Sequence, residues 1–250
     1  MDAVARLAES VREADTVVAL TGAGTSTASG VPDFRSESGV WNRFDPEDFH
    51  YQRFRTDPAG FWADRVELHE TMFGGDIEPN PAHDALAELA EDGHLHAILT
   101  QNTDGLHAAT TPAELVELHG NAHRAVCDSC GRRTDAASVR KRVESGERPP
   151  RCEDCGGVIK PDVVLFGERL DERDLRRARE HARRADAFLA IGSSLSVEPA
   201  ASLPRVAARS GAVLAIINLD ETPVSPMADY DVRGDVTEVL PKLAERVEDA

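Results

Sequence analysis

The sequence predicts an α/β fold built around a parallel sheet, on three observations. Several apolar runs lack the polar alternation of a half-exposed strand, which is typical of parallel strands covered on both faces. Helical patterns separate several of these runs, as they do in parallel α/β proteins. Two stretches, at about 25–76 and 121–160, interrupt the alternation and are expected to be insertions that carry specificity. The length of 250 residues suffices for one hydrophobic core with a small satellite.

The individual elements follow from local patterns in chain order. Residues 3–12 have helical spacing and lead into a buried strand at 16–20, where the sequence is TVVAL. Continuous apolar runs predict five further strands, at 95–99, 115–118, 163–166, 187–191 and 212–217. Helical spacing predicts four further helices, at 81–91, 171–184, 199–210 and 235–247. Asn80 and Pro81 are expected to cap and start the first of these four, since both residue types favour those positions.

The first insertion is rich in aromatic side chains. It holds nine of the twelve in the chain, namely Phe34, Trp41, Phe44, Phe49, Tyr51, Phe54, Phe61, Trp62 and Phe73. Side chains of this size can form the core of a small helical module. We therefore expect such a module here, with a minority of the rings lining a ligand channel.

The charge balance excludes one class of function. The 28 basic and 45 acidic residues give a net charge of −17, which argues against affinity for nucleic acid through phosphate neutralisation. No direct sequence-specific binding of nucleic acid is expected. The only lysines are Lys141, Lys160 and Lys242, and an acid-rich, lysine-poor surface suits a halophilic host. A merely acidic cytosolic protein is the alternative.

No segment suggests a membrane or a secretory pathway. No apolar run approaches the roughly 20 residues of a membrane helix. The N-terminal sequence MDAVARLAES lacks the apolar stretch of a signal peptide. We expect no membrane association and a cytoplasmic location.

Polar residues at three strand ends indicate a dinucleotide crevice, because ligands bind at the carboxyl ends of parallel strands. Gly22-Ala23-Gly24 follows the first strand and lets backbone approach a phosphate closely. Gly192-Ser193-Ser194 and Asn218 follow two later strands. Thr27 stands where the dinucleotide fingerprint has its third glycine, which disfavours a standard dehydrogenase but not a nucleotide site.

The four cysteines form two pairs, Cys127-x2-Cys130 and Cys152-x2-Cys155. Two such pairs predict a four-thiolate zinc site, and four thiolates leave no open position, so one structural Zn²⁺ per chain is expected. Two disulfides are the alternative, which a reducing cytoplasm disfavours. Residues 121–160 carry nine bases and six acids. This surplus either offsets the charge of the thiolates or marks a binding module.

Two more strands end in residues suited to catalysis. Thr100-Gln101-Asn102-Thr103-Asp104 follows the strand at 95–99, and His119-Gly120 follows the strand at 115–118. An imidazole at a strand end that faces a crevice can titrate near neutral pH and act as a general base. His119 is therefore the candidate base.

Together these motifs resemble those of the sirtuins, NAD-dependent protein lysine deacylases. The motifs are Gly22-Ala23-Gly24-Thr25-Ser26 with Gly30-Val31-Pro32-Asp33-Phe34-Arg35, Thr100-Gln101-Asn102-Thr103-Asp104, His119-Gly120, the two cysteine pairs, Val163-Val164-Leu165-Phe166-Gly167-Glu168, and Gly192-Ser193-Ser194-Leu195. The resemblance implies one catalytic domain over 1–250, with a smaller helical plus zinc-ribbon domain inserted in a Rossmann-like one. The large part is expected at about 1–34, 77–120 and 161–250, the helical module at about 35–76 and the zinc module at about 121–160.

The resemblance also implies the site residues. NAD is expected as co-substrate, held by Gly22, Ala23, Gly24, Thr25, Asp33, Phe34, Arg35, Gln101, Asn102, Asp104, Gly192, Ser193, Ser194, Asn218, Leu219 and Val236. His119 and Asn102 are expected to be catalytic. An acetylated lysine of a protein is expected to bind as part of an extended strand against Val163, Phe166, Gly167, Glu168, Leu195 and Val197.

The implied reaction transfers the acetyl group from lysine to ADP-ribose and releases nicotinamide, with His119 activating a ribose hydroxyl. A mono-ADP-ribosyltransferase, a deacylase for other acyl groups and a non-catalytic binding module are alternatives on the same scaffold. Sirtuins that prefer negatively charged acyl groups carry an Ala-Tyr-x-x-Arg pattern, whereas the candidate stretch here is His50-Tyr51-Gln52-Arg53-Phe54. A short neutral acyl group is therefore expected.

Overall fold

The structure, a computed structural model, describes residues 2–34, 36 and 39–248. Strands β1 to β9 span Val17–Thr21, Ala97–Thr100, Glu114–Glu117, Gly120–Cys127, Arg133–Asp135, Ile159–Val163, Ala187–Ile191, Val213–Asn218 and Tyr230–Arg233. Helices α1 to α9 span Ala3–Glu13, Tyr51–Thr56, Pro58–Phe73, Pro81–Glu91, Leu106–Thr110, Ala136–Glu144, Glu172–Arg184, Leu203–Arg209 and Val236–Glu248. None of the helices in these ranges is both long and apolar enough to cross a membrane.

Six strands form a parallel sheet in the order β3-β2-β1-β7-β8-β9. Its two faces explain the continuous apolar runs. In β1, Val17 and Ala19 pack into the core under α1, α4 and α9, whereas Val18 and Leu20 pack into the core under α7 and α8. Because both faces are covered, neither set of alternating side chains is polar. The predicted α/β class is confirmed.

Helix α4 has the bounds that the sequence predicts. The side chain of Asn80 accepts a hydrogen bond from the N–H of Ala82 at 2.9 Å, and Pro81 begins the helix. The ring of His83 returns the contact by accepting from the N–H of Asn80 at 3.3 Å. Local capping chemistry therefore defines this end of the helix, and the side-chain amide of Asn80 also donates to the carbonyl of Thr25 and the hydroxyl of Ser29, both at 2.9 Å.

The predicted strand at 163–166 is wrong. Only Val163 belongs to a strand, and that strand is β6, which pairs antiparallel with β4 in a separate three-stranded sheet of order β5-β4-β6. The chain then turns, and the N–H of Glu168 donates to the carbonyl of Leu165 at 3.0 Å. The ring of Phe166 is 41% exposed. A run of four apolar residues does not distinguish a buried strand from a strand end followed by an exposed turn.

The two insertions share one core. Phe54, Phe61 and Trp62 from the aromatic stretch pack with Val139 and Cys152 from the cysteine segment. The indole N–H of Trp62 donates to the carbonyl of Ile159 at 2.7 Å, which joins α3 to β6. The aromatic side chains thus build a core, as expected, but they build it together with the cysteine segment.

Candidate functional site

The ends of β1 and β7 approach each other through glycines. The N–H of Gly24 donates to the carbonyl of Gly192 at 2.9 Å, and the N–H of Gly22 donates to the carbonyl of Ile191 at 3.0 Å. A Cβ on Gly22 would lie 2.8 Å from the carbonyl oxygen of Gly192. Gly192 has a φ of +57°, and a Cβ there would lie 2.5 Å from the backbone nitrogen of Thr25. These glycines therefore allow two loops to pack against each other, and the N–H groups of Gly22 and Gly24 are already used inside the protein.

Hydrogen bonds tie three strand ends to one another. The side-chain amide of Gln101, after β2, donates to the hydroxyl of Ser193, after β7, at 2.8 Å. The N–H of Gly192 donates to the carbonyl of Ile217 in β8 at 2.9 Å. The side-chain amide of Asn218 donates to the carbonyl of Asp220 at 2.9 Å. The predicted motifs at these strand ends thus lie at one edge of the sheet.

His119 lies between β3 and β4 at the same edge. Its Nδ1 is 2.9 Å from the carbonyl oxygen of Gln101, which only accepts, so Nδ1 carries the proton and Nε2 keeps a lone pair. Burial lowers the pKa of the ring below its usual 6.5, although the hydrogen bond to Gln101 acts in the opposite direction. A half-buried, neutral imidazole with a free Nε2 is chemically suited to accept a proton.

A small pocket lies beside this edge. It is lined by Ala23, Ser26, Val31, Pro32, Phe34, Met72, Phe73, Asn102, Thr103 and Asp104. The side-chain amide of Asn102 donates to the hydroxyl of Ser26 at 3.0 Å, and Asn102 is buried. The structure thus brings together Ala23, Phe34, Asn102 and Asp104, which the sequence had singled out.

Six lining residues are absent from the predicted site, namely Ser26, Val31, Pro32, Met72, Phe73 and Thr103. Ser26, Val31, Pro32 and Thr103 stand inside the motifs that resemble those of the sirtuins and could have been found there. Phe73 belongs to the aromatic stretch, of which a minority of rings was expected to line a ligand channel. Met72 precedes it at the end of helix α3, and nothing in its local sequence distinguishes it from a core residue.

Several predicted site residues are placed differently. The side chain of Val236 is buried in the core with α4, and that of Leu195 is buried in the core on the other face of the sheet, so neither side chain is free to contact a ligand. The carboxylate of Asp33 accepts from the N–H of Ser36 at 2.8 Å and does not line the pocket. Arg35 lies outside the described residues.

The other residues predicted to contact NAD or the peptide differ in their exposure and packing. Ser194 and Leu219 are exposed, Leu219 by 69%. Leu195 is the one non-glycine residue in the described ranges with a positive φ, +50°, a backbone conformation that costs free energy and is common beside ligand sites. Phe166 packs edge-on against Trp41 with ring centroids 5.4 Å apart, and Val197 is half-buried.

The four cysteines form a cluster that fits zinc. Their sulfur atoms all lie within 4.8 Å of one another. Cys127 and Cys155 are 3.5 Å apart at sulfur, and Cys130 and Cys152 are 3.8 Å apart, too far for disulfide bonds. Tetrahedral zinc with Zn–S bonds of about 2.3 Å requires sulfur separations of about 3.8 Å. The donor set is therefore positioned to bind one zinc ion with no free coordination position.

The chain was compared with known proteins. Residues 22–199 match the model of the Sir2 family. A protein of Haloarcula marismortui named NAD-dependent protein deacetylase is 55% identical over 99% of this chain and 94% of its own length. NAD-dependent protein deacetylase 1 of Pyrobaculum aerophilum is 51% identical over 92% of this chain and 89% of its own.

Solved structures agree with the sequence comparison. A structure described as "Sir2-p53 peptide-NAD+" superposes with a TM-score of 0.86 at 37% identity and covers 96% of each chain. The family model, the relatives and the shared fold all span most of the molecule. The chain therefore belongs to the Sir2 family.

Proposed function

We propose that the chain is an NAD-dependent protein-lysine deacetylase, which transfers the acetyl group from lysine to ADP-ribose and releases nicotinamide. The observation that carries this proposal is the neutral His119, held through Gln101 beside the pocket of Asn102 and Asp104. Relatives over nearly the whole chain bear the name of this activity. When bound, NAD supplies the ADP-ribose that accepts the acyl group.

The proposed roles combine the positions of the residues with the resemblance to the sirtuins. Asn102 and Asp104, with Ala23 and Phe34, line the pocket that would hold the nicotinamide end and would exclude water from it. Nε2 of His119 takes the proton from a ribose hydroxyl, and the Nδ1 hydrogen bond to Gln101 keeps the ring in the tautomer that this step needs.

The rest of the NAD site is proposed along the same edge. Thr25, Ser193, Ser194, Asn218, Leu219 and the main chain at Val236 hold the remainder of the cofactor. Gly22, Gly24 and Gly192 contribute by allowing the close packing of the two loops.

The acetylated peptide is proposed to bind as a strand between the segments at 163–168 and 195–197. The exposure of Phe166 in one segment and the partial exposure of Val197 in the other support this proposal, because both side chains can be reached from solvent. Recognition through main-chain hydrogen bonds depends little on peptide sequence. We therefore expect substrate choice to depend more on the acyl group than on the peptide sequence around the modified lysine.

A short neutral acyl group suits the arginines of the helical module. Arg53 makes ion pairs with Asp48, Asp57 and Asp64 at 2.6 to 3.4 Å, and Arg55 pairs with Asp128 at 3.0 Å. The arginine inside the stretch that replaces the charged-acyl pattern, Arg53, and the arginine just after it, Arg55, are thus both already paired with carboxylates.

The test measures nicotinamide release with one peptide in three forms: unmodified, acetylated and succinylated. We expect release to require both NAD and an acyl-lysine, and acetyl to be preferred over succinyl by more than about tenfold in kcat/KM, because a carboxylate without a partner costs at least 1–3 kcal/mol to bury. A preference for succinyl contradicts the proposed acyl group. Label that passes from NAD to the peptide without loss of acetyl indicates a mono-ADP-ribosyltransferase instead.

We also propose a halophilic host and a cytoplasmic location. The 25 arginines against 3 lysines, the net charge of −17 and the haloarchaeal relative support the first. Four free cysteines placed for zinc support a reducing compartment. The acidic surface supports the absence of sequence-specific nucleic-acid binding. We further propose that 1–34, 77–120 and 161–250 form the larger part of the domain, and that 35–76 and 121–160 form the smaller.

The halophilic proposal predicts a salt dependence. An acidic surface is self-repulsive at low ionic strength, so we expect the midpoint of thermal unfolding to rise steadily between about 0.1 and 2 M KCl, as the Debye length falls from about 10 Å to below 3 Å. Circular dichroism at fixed pH measures this midpoint. Equal midpoints in dilute and molar KCl contradict the proposal.

A further inference from the structure

Lys160 is a buried cation that the proposed chemistry does not use. Its side chain is 8% exposed, although lysine is rarely buried and the chain has only three. Its Nζ lies 3.1 Å from a carboxylate oxygen of Glu168 and donates to the carbonyl of Val163 at 3.0 Å. Lys160 thus contacts both ends of the segment at 163–168.

Stability of the core alone does not explain this ion pair. Removing the ammonium group of a lysine from water costs several kcal/mol, and well-packed apolar residues of similar volume are often at least as stable. The Glu168 side chain is still 25% exposed, so it repays only part of this cost. A buried cation paired with a partly exposed carboxylate is instead suited to holding one conformation. The conformation in question is that of the segment between Val163 and Glu168.

That segment is a tight turn closed by Glu168. The N–H of Glu168 donates to the carbonyl of Leu165 at 3.0 Å, and its carboxylate accepts from the N–H of Leu165 at the same distance. Gly167, with a φ of +75°, occupies the third position of the turn, where a type II turn requires a left-handed residue. The carboxylate of Glu168 therefore adds a second hydrogen bond across the turn, and the ammonium group of Lys160 balances its negative charge.

The turn is fixed relative to His119 and presents Phe166. The N–H of Val164 donates to the carbonyl of His119 at 2.9 Å, and the carbonyl of Phe166 accepts from the N–H of Tyr51 at 2.8 Å. Phe166 is one of three large hydrophobic side chains that are exposed in the described residues. A change in the turn would move this ring and the adjoining main chain, whereas the residues that line the pocket beside Asn102 belong to other segments.

We propose that Lys160 is a positioning residue for the acetylated peptide: through Glu168 and the carbonyl of Val163 it holds the turn at 163–168 in the shape that receives the substrate strand. This inference rests on the proposed deacetylase function. Lys160 itself is not among the residues that are proposed to contact the peptide.

The test replaces Lys160 with methionine, which has a similar length and no charge. We expect the KM for the acetylated peptide to rise on the order of tenfold, or about 1.4 kcal/mol, with kcat and the KM for NAD within about twofold. The exposed Lys242→Met is the matched control and is expected to leave all three constants unchanged. A merely structural role would lower the unfolding temperature and the active fraction but not change the KM for the peptide.

A second variant keeps the test decisive if Lys160→Met folds poorly. In Lys160→Met/Glu168→Gln, a neutral amide oxygen can still accept from the N–H of Leu165, so the turn closes without a buried charge. We expect this variant to recover most of the peptide affinity. A KM unchanged in folded Lys160→Met, or a tenfold loss that persists in the double variant, overturns the inference.

The failure of this inference is distinguishable from failure of the proposed function. If the proposed function is wrong, the unsubstituted chain releases no nicotinamide from NAD and acetylated peptide. If only the inference about Lys160 is wrong, the variants are active but their KM values for the peptide do not follow the expected order. Fluorescence anisotropy of a labelled acetyl-lysine peptide measures affinity without turnover, and the same ranking of variants is expected there.

Discussion

His119→Ala is expected to lower the rate of deacetylation by about 10²- to 10⁴-fold, the usual contribution of a positioned general base. The fold should persist, because the half-buried ring makes one hydrogen bond, to the carbonyl of Gln101. In the reaction that the resemblance to the sirtuins implies, the acyl oxygen displaces nicotinamide from the ribose carbon first, and the proposed base acts after nicotinamide has left. Exchange of labelled nicotinamide into NAD should therefore fall much less than deacetylation does.

The matched control is His94→Ala, which removes a half-buried imidazole just before β2, at the opposite end of that strand from Gln101. It is expected to leave both rates unchanged. Deacetylation that persists within about threefold in folded His119→Ala would contradict the role of base. So would an equal loss of exchange and deacetylation, since that result indicates a role in binding or in the first step.

The pH dependence of the unsubstituted enzyme gives an independent check on His119. The proposed base is the neutral ring, and burial lowers its pKa below 6.5. A lowered pKa keeps the ring neutral at lower pH, so kcat/KM should be retained at pH 6.5 and fall only as the pH drops through the lowered value. An acidic limb centred above pH 6.5 would disagree with the buried environment of this ring.

Loss of one zinc ligand is the second change with a large expected effect. In Cys155→Ser we expect bound zinc to fall well below one per chain and deacetylation to be lost almost entirely. Structural zinc sites contribute about 10–16 kcal/mol of apparent binding free energy in small zinc-finger peptides. Cys127 and Cys152 are buried in the core that also holds Trp62 and Val139, so the loss should spread to α3 and α6.

Zinc content by mass spectrometry and thermal unfolding by circular dichroism measure this effect. Ser129→Ala, an exposed position between Cys127 and Cys130, is the matched control and is expected to keep both zinc and stability. Full activity and an unchanged unfolding temperature in Cys155→Ser would show that the cluster has no structural role.

The large sheet was predictable because its signals are local or repeat along the strands. β7 has the predicted bounds, and helix α4 follows from Asn80 and Pro81 alone. The exposed faces of β4, β5 and β9 carry polar residues, so a search for continuous apolar runs misses these three strands. The segment at 163–166 failed for the converse reason, since its apolar residues end one strand and begin a turn.

The candidate site was predictable where the chemistry lies in a contiguous motif. Gly192 directly follows β7, and Asn102 and His119 lie two residues beyond the ends of β2 and β3. Parallel topology brings such positions to one edge. Met72 and Phe73 reach the pocket from the end of α3, a contact of high sequence separation that no local pattern announces. Val236 and Leu195 are apolar residues, and packing directs both side chains into the core.

Lys160 shows a further reason why parts of the structure could not be predicted from the sequence. Its sequence neighbours, Ile159 and Pro161, indicate nothing about a charge partner, and only the fold brings Glu168 within 3.1 Å of it. The rarity of lysine in this chain was visible from composition. Its meaning at this one position depends on burial.

Mass spectrometry of the products formed from NAD and an acetyl-lysine peptide tests the central claim most directly. Transfer of the acetyl group predicts three products in equal amounts: nicotinamide, the deacetylated peptide and O-acetyl-ADP-ribose. Free acetate formed in place of O-acetyl-ADP-ribose from the earliest time point, or a peptide that gains the mass of ADP-ribose, would contradict it.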